Sequence, residues 1–359
     1  MGQFRRHDEE AEGRGGGLNP SGPVGVALVG HGYAGRTFHA PLIGACAALD
    51  LRTVVTRRPG DAPGLNTVAT LDEALADPAV DLVVLATPNA LHAPQARAAL
   101  EAGKAVVVDK PFTLTTAEAR ALIALAEARG LLLSVFHNRR WDADFLALQA
   151  DIAAGRLGRI VSFESRFDRY RPEVRDRWRE RDEPGGGLWY DLGPHLIDQA
   201  LVLFGRPLGV SCDLAVLRPG GQAVDYAHAV LRYDGLRVIL HADMVSPAHD
   251  VRFVVQGERA AWLKSGLDVQ EDQLKAGLPV GGPGWGVDPR PAVRVDGAGG
   301  DRMPAPGPPG DYRAYYDGVA RALRAGSPPP VTAAEGLAVM EVLEACLESA
   351  RLRVEVRLA

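Results

Sequence analysis

The sequence predicts an α/β chain in two parts. A parallel sheet covered by helices on both faces comes first, and an α+β unit on a large, mostly antiparallel open sheet follows. Three observations carry this. Apolar runs recur at 24–29, 51–56, 80–87, 104–108 and 131–136. They are apolar throughout rather than at alternate positions, as strands buried on both faces require. A glycine pattern, Gly30 to Gly35, directly follows the first run. After residue 141 the period changes to two, the mark of strands with one exposed face.

Taken in order, residues 1–22 contain RRHDEE and GRGGG. They cannot bury apolar surface and carry no apolar run of the kind a secretory signal needs, so they are expected to be a disordered tail. Residues 23–140 form the expected nucleotide-binding domain. Within it 89–102 is Ala-rich and stops at Gly103, a good helix terminator. Thr115 to Glu118 is a capping box opening a helix that ends at Gly130. Residues 141–359 form the expected substrate-binding and oligomerisation domain. Val161, Phe163, Ser165 and Phe167 share one face of a strand. A helix is expected to start near Pro194, with Leu196, Ala200, Leu203 and Phe204 on its apolar face and Gly205 at its end. Asp234-Gly235 between two apolar runs predicts a type I′ hairpin. Residues 251–256 read as another strand. The stretch 278–310 is rich in Pro and Gly and reads as a long loop, a lid or a subunit contact. Thr332 to Glu335 is a second capping box, ahead of an apolar stripe of Leu337, Met340, Leu343 and Leu347. Leu352, Val354, Val356 and Leu358 alternate with charged residues and predict a terminal half-buried strand.

The 359 residues carry 40 Lys and Arg against 45 Asp and Glu, a net charge of −5. That balance offers no footprint for nucleic acid or an anionic membrane. Cys46, Cys212 and Cys346 are far apart and odd in number. They suggest neither a disulfide framework nor a metal cluster, so no metal is expected and the cytoplasm is the expected compartment.

Gly30-His31-Gly32-Tyr33-Ala34-Gly35 matches G-x-G-x-x-G between a strand and a helical segment. Gly30 allows the tight turn, Gly32 lets a pyrophosphate approach the backbone, and Gly35 lets helix and strand pack closely. A dinucleotide is therefore expected there. The second strand ends in Thr56-Arg57-Arg58, where an NAD enzyme usually places a carboxylate for the ribose. Two guanidiniums suit a 2′-phosphate, so NADP is favoured, with NAD possible. Thr87-Pro88-Asn89 follows the next strand and reads both as a helix start and as a cofactor-side turn, with His92 one turn on. Asp109-Lys110-Pro111 ends the fourth strand. Lys110 is either aimed over the crevice by Pro111 or paired to Asp109 at the surface. Asp191 and His195 are four residues apart, so the carboxylate could orient the imidazole as a general acid/base pair, or both could be ordinary helix residues.

These residues together carry a resemblance. VGHGYAGRTFHAPL (29–42), DKPF (109–112), SVFHNRRWDADF (134–145), RFDRYRPEVRDRWRE (166–180) and YDLGPHLIDQ (190–199) resemble the Gfo/Idh/MocA oxidoreductases, and among them the branch of NADP-dependent scyllo-inositol dehydrogenases. The resemblance runs from about residue 24 to the C-terminus. It implies a Rossmann domain followed by a domain whose open sheet makes subunit contacts, as a homodimer or homotetramer. It implies that Lys110 is the lysine of an E-K-P-type turn, here with Asp109 in place of Glu, and that Asp191 and His195 are the family's D-x-x-x-H pair. His137 to Trp141 resembles the crossover bordering nicotinamide and substrate, which places Asn138 with the cofactor and Arg140 with the substrate. Asp168, Arg169, Tyr170 and Arg171 resemble substrate-domain residues, with a charged strand end as the alternative, and Asp168 and Tyr190 are implied to touch substrate. The implied activity is hydride transfer between nicotinamide and a hydroxyl of a cyclic polyol or sugar. Two rivals remain on this fold: a dinucleotide or sugar sensor without catalysis, and an NAD-dependent hydrolase or epimerase that returns the hydride.

Overall fold

The structure, a computed structural model, describes residues 22–358. The readings made for residues before Gly22 lie outside it. The first part holds β1 (Val24–Val29), β2 (Leu49–Val55), β3 (Thr67–Val68), β4 (Leu82–Leu85), β5 (Ala105–Val108) and β6 (Leu133–Val135), all paired in parallel. Their order, β3-β2-β1-β4-β5-β6, reverses direction at β1. In such sheets the crevice beyond the carboxyl ends of the strands at that reversal is where ligands bind. Every residue of β1, β4 and β5 is buried, which is why their sequences are apolar without alternation. The helices α1 (Ala40–Gly44), α2 (Leu71–Ala76), α3 (His92–Glu101) and α4 (Thr116–Arg129) connect the strands. The capping box at Thr115 forms as expected, and Gly130 takes the left-handed cap. The short β3 and α2 carried too little periodicity to be read from sequence.

The second part holds α5 (Ala143–Ala153), β7 (Ile160–Arg166), α6 (Gly187–Phe204), β8 (Gly209–Ala215), β9 (Tyr226–Tyr233), β10 (Leu236–Asp243), β11 (Val251–Gly257), β12 (Ala260–Ser265), α7 (Gln270–Lys275), β13 (Ala292–Asp296), β14 (Arg302–Ala305), α8 (Arg313–Ala325), α9 (Ala333–Leu352) and β15 (Val356–Arg357). The sheet order is β14-β13-β12-β11-β7-β10-β9-β8-β15, and only the β7–β10 pair among these is parallel. On one face α6 packs on β9 and β10, and α9 packs on β8. On the other face of β9, Tyr226, His228, Val230 and Arg232 are half-exposed. Among the described residues no helix is long and apolar enough to cross a membrane.

Four expectations need correction. Helix α6 starts at Gly187, and Pro194 lies inside it. Burial of Leu188, Trp189 and Leu192 in its first turns outweighs the cost of an interior proline, about 3 kcal/mol. The β9–β10 hairpin forms, but only Gly235 takes a positive φ, so the turn is not type I′. The stretch 278–310 is not all loop, because β13 and β14 extend the sheet edge. The terminal strand is two residues long. The apolar stripe of α9 keeps the chain helical to Leu352, and Arg353 caps it with a left-handed φ of 58°.

Candidate active site

A cleft of about 510 Å³ opens between the carboxyl ends of the first sheet and the second part. Its first wall is the turn after β1. Gly30 has φ of 97°, and a Cβ there would lie 2.6 Å from the Ala86 carbonyl oxygen. A Cβ on Gly35 would collide with the Gly30 carbonyl, whereas one on Gly32 would meet nothing within 4 Å. The turn is thus tight at both ends and open in the middle, the shape a pyrophosphate needs. A π-helical turn, Gly35–His39, continues into α1. Tyr33 and Ala34 line the cleft. Thr56 sits at the end of β2 with exposed Arg57 and Arg58 beside it, and the Arg58 N–H donates to Thr56 Oγ1 at 3.1 Å. His31 faces Asp61. Burial and then Arg36 lower the imidazole pKa, and Asp61 opposes them. The residues present fit a dinucleotide with a 2′-phosphate: an open glycine cradle and two exposed guanidiniums.

Lys110 follows β5, and Asp191 and His195 lie on α6. Lys110 Nζ donates to Asp191 Oδ1 at 3.0 Å and to the Asp191 carbonyl at 2.7 Å. Asp109 is not the partner of the Lys110 ammonium. Its Oδ1 accepts the Lys110 N–H at 2.9 Å and lies 3.7 Å from His39 Nε2. Burial would raise the Asp191 pKa, but Lys110, Arg179 and Arg169 together hold it well below the usual carboxylate range. His195 lines the same cleft, and its Nδ1 is buried without a hydrogen-bond partner. Burial, then the charges of Lys110 and Arg139, hold its pKa well below 6.5, so the ring is neutral at neutral pH. Asp191 and His195 are both present, but no hydrogen bond joins them. The carboxylate positions Lys110 rather than the imidazole.

Other expected residues have different neighbours. Asn138 lines the cleft. Asn89 is buried and donates to the Gly185 carbonyl at 2.8 Å, and Thr87 donates to Gln95. With Pro88 they form the turn after β4. His92 does not face the cleft. It is fully buried, with its ring nitrogens 2.8 Å from the Pro111 carbonyl and 3.0 Å from that of Thr87. It ties two strand-end turns together. Arg140 donates to Asp198 and to Glu335, each at 2.7 Å, and is not among the residues that line the cleft. Tyr190 donates to the Leu114 carbonyl at 3.3 Å. Asp168 accepts from Arg166 at 2.7 Å, stands with His241 and Asp243, and lines a neighbouring cavity with Arg169 and Arg171. His92, Arg140, Tyr190 and Asp168 each find a partner within the protein.

Sequence reasoning missed Arg139, Glu271 and Lys275. Tyr33 donates to Glu271 at 2.6 Å, and Arg139 donates to the same carboxylate at 3.0 Å. Burial would raise Glu271, but Arg139 and Tyr33 outweigh it and bring it down to about 2. This links α7 to the glycine turn.

Comparison with known proteins decides the family. Residues 24–137 match the oxidoreductase family's NAD-binding Rossmann fold, and residues 149–358 match its C-terminal alpha/beta domain. The chain belongs to the Gfo/Idh/MocA oxidoreductases. The uncharacterized oxidoreductase YdgJ of Escherichia coli is 48% identical over 94% of this chain and 99% of its own. The NADP(+)-dependent scyllo-inositol 2-dehydrogenase IolW of Bacillus subtilis is 38% identical over 91% of this chain and 94% of its own. Among solved structures, an oxidoreductase from Bacillus cereus superposes with a TM-score of 0.84 at 29% identity, covering 94% of this chain and 99% of its own. Like other members of this family, the protein is an NAD(P)-dependent oxidoreductase.

Proposed function

We propose that the protein is an NADP-dependent dehydrogenase acting on a CH–OH group of a cyclic polyol or sugar. The observation that carries this is the meeting of Lys110, Asp191 and a neutral His195 in one cleft beside an open glycine cradle. Hydride exchange at C4 is the chemistry that a nicotinamide supplies when bound. Arg57 and Arg58 would hold the 2′-phosphate, and the backbone at Gly32 would receive the pyrophosphate. His195 takes the hydroxyl proton at Nε2 as the alcohol is oxidised, and it returns the proton in reduction. Lys110, fixed by Asp191, donates to the same oxygen and stabilises the charge that develops there. The identity to IolW supports the polyol class and the choice of NADP.

A homodimer or homotetramer is the proposed assembly, formed through the open face of the second sheet, where Tyr226, His228, Val230 and Arg232 of β9 are half-exposed. The test of function is a panel of polyols and sugars read by nicotinamide reduction with NADP and with NAD. NADP-linked turnover of a cyclic member supports the proposal. Reduction with NAD alone refutes the cofactor choice.

A further inference from the structure

The chain as a whole is negative, but its cleft is strongly positive. Eight cationic side chains line it against three carboxylates. Five of the eight, Arg169, Arg171, Arg175, Arg177 and Arg179, come from the one irregular segment that follows β7. None of the three carboxylates pairs with Arg171 or Arg175: Asp191 holds Lys110. Asp109 accepts from the Lys110 backbone, and Glu271 holds Arg139 and Tyr33.

The segment is built to hold this charge in place. Glu180, nine-tenths buried, accepts from the Arg175 N–H at 2.9 Å and from Arg177 Nε at 2.7 Å, and it lies 3.1 Å from Arg218 Nη1. Backbone bonds from Arg169 and Arg171 to the Asp243 and Met244 carbonyls fasten the other end. Arg169 and Arg179 then come within 3.5 and 4.0 Å of Asp191, the carboxylate that also holds Lys110. Among the described residues neither the Arg171 nor the Arg175 guanidinium has an ion-pair partner, and Arg171 is half-buried. Burial, then Arg169, Arg175 and Arg177, lower the Arg171 pKa, the mark of like charges crowded together. Arg175 is exposed, but the half-buried Arg171 guanidinium, crowded by like charges, is costly without a counter-charge unless an anion completes it.

A bound dinucleotide would not supply that anion. Its phosphates would have their own donors at the glycine turn and at Arg57 and Arg58 after β2. The arginine segment instead adjoins the reacting groups.

We propose that the substrate carries an anionic group, a carboxylate or a phosphate, which the guanidiniums of Arg171 and Arg175 bind within a few ångströms of the carbinol held by Lys110. This rests on the dehydrogenase reading of the cleft and narrows it to acidic sugars and polyols. Arg169 and Arg179, already drawn to Asp191, flank the same position. Fork-shaped guanidiniums are suited to planar carboxylates and to phosphates alike.

The test is calorimetric titration of the full chain saturated with NADPH. The probes are galactonate and glucuronate as carboxylates, glucose 6-phosphate as a phosphate, and glucose and myo-inositol as neutral controls. At least one acid is expected to bind ten times more tightly than the neutral compounds. The double variant Arg171→Gln/Arg175→Gln is expected to lose that preference by about 10- to 100-fold, the range for charge-assisted hydrogen bonds. The carboxylate and phosphate probes show which anion the cleft prefers. Equal or tighter binding of the neutral compounds, no binding of any acid, or an unchanged preference in the variant would overturn the inference. So would a variant that weakens NADPH itself, because the arginines would then serve the cofactor. Arginine-dependent binding of an acid without nicotinamide turnover of any compound would leave this inference standing and refute the dehydrogenase reading.

Discussion

Replacing Asp191 with Asn separates its two contributions. The substitution keeps the size and the Oδ1 acceptor, and the backbone carbonyl still receives Lys110 at 2.7 Å. What is lost is a negative charge 3.0 Å from Lys110, 3.5 Å from Arg169 and 4.0 Å from Arg179. A charge-assisted hydrogen bond contributes about 1.5–3 kcal/mol. If that whole loss falls on the transition state, kcat/KM drops by about 10- to 150-fold. The same carboxylate contributes to stability, and the sign follows from its depressed pKa in the folded protein. Its contribution is complete above the unfolded value near 4 and is lost as pH falls through the folded value. Wild type and Asp191→Asn should therefore differ in urea midpoint at pH 7 and converge in strong acid. Steady-state kinetics and denaturation at several pH values measure both effects. An Asn variant with wild-type kcat/KM, or a stability gap that is constant with pH, would show that Asp191 does not hold Lys110.

His195→Ala is expected to lose about 10²–10⁴ in kcat while keeping its cofactor affinity. Because burial, Lys110 and Arg139 depress the His195 pKa, the wild-type oxidation rate should stay flat through pH 6.5 and decline only in more acidic solution, along one ionisation. A decline centred at or above pH 6.5 would refute this. Arg57→Ala should weaken NADP by about tenfold and spare NAD, measured by fluorescence titration, the low end of the range because Arg57 is exposed. Gly35→Ala should lower the unfolding midpoint by driving a methyl group into the Gly30 carbonyl, whereas Gly32→Ala should leave the midpoint nearly unchanged and weaken the dinucleotide. Equal behaviour of the two glycine variants in both measurements would refute the cradle.

Much of the first part was legible because each signal is local. A strand buried on both faces is apolar residue by residue, and the glycine turn needs neighbours only a few residues away. Lys110 could be placed at a strand end for the same reason, but its partner could not, since Asp191 lies 81 residues on. Spacing correctly put Asp191 and His195 on one helix, yet i and i+4 adjacency does not decide which neighbour a carboxylate bonds. Glu271 had no signal at all. It sits in a six-residue helix and meets Tyr33 across 238 residues. Of the arginines from 169 to 179, Arg169 and Arg171 resemble substrate-domain residues, and the others were visible only as letters. That they converge on the cleft depends on the buried Glu180 and on backbone pairing to the end of β10, which no periodicity reports.

Two of the residues expected to touch substrate, Arg140 and Tyr190, also tie the two parts of the chain together. Lys110 comes from the first part of the chain, and Asp191 and His195 from the second, so their alignment depends on how the two parts dock. Arg140, just past β6, is gripped by Asp198 of α6 and Glu335 of α9. Tyr190 reaches back to the Leu114 carbonyl, ahead of α4. Thr116 of α4 is held through both its N–H and its hydroxyl by Glu344 of α9, at 2.7 and 2.8 Å. Each of these contacts crosses the same boundary as the Lys110–Asp191 pair, and Asp198 and Tyr190 lie on the same helix as Asp191 and His195. A shift of α6 by one ångström would separate the ammonium from the carboxylate, and misplacement on that scale can cost two orders of magnitude in rate. Polar residues beside a catalytic motif can therefore be restricted in type without touching substrate, because they fix the helix that carries the motif.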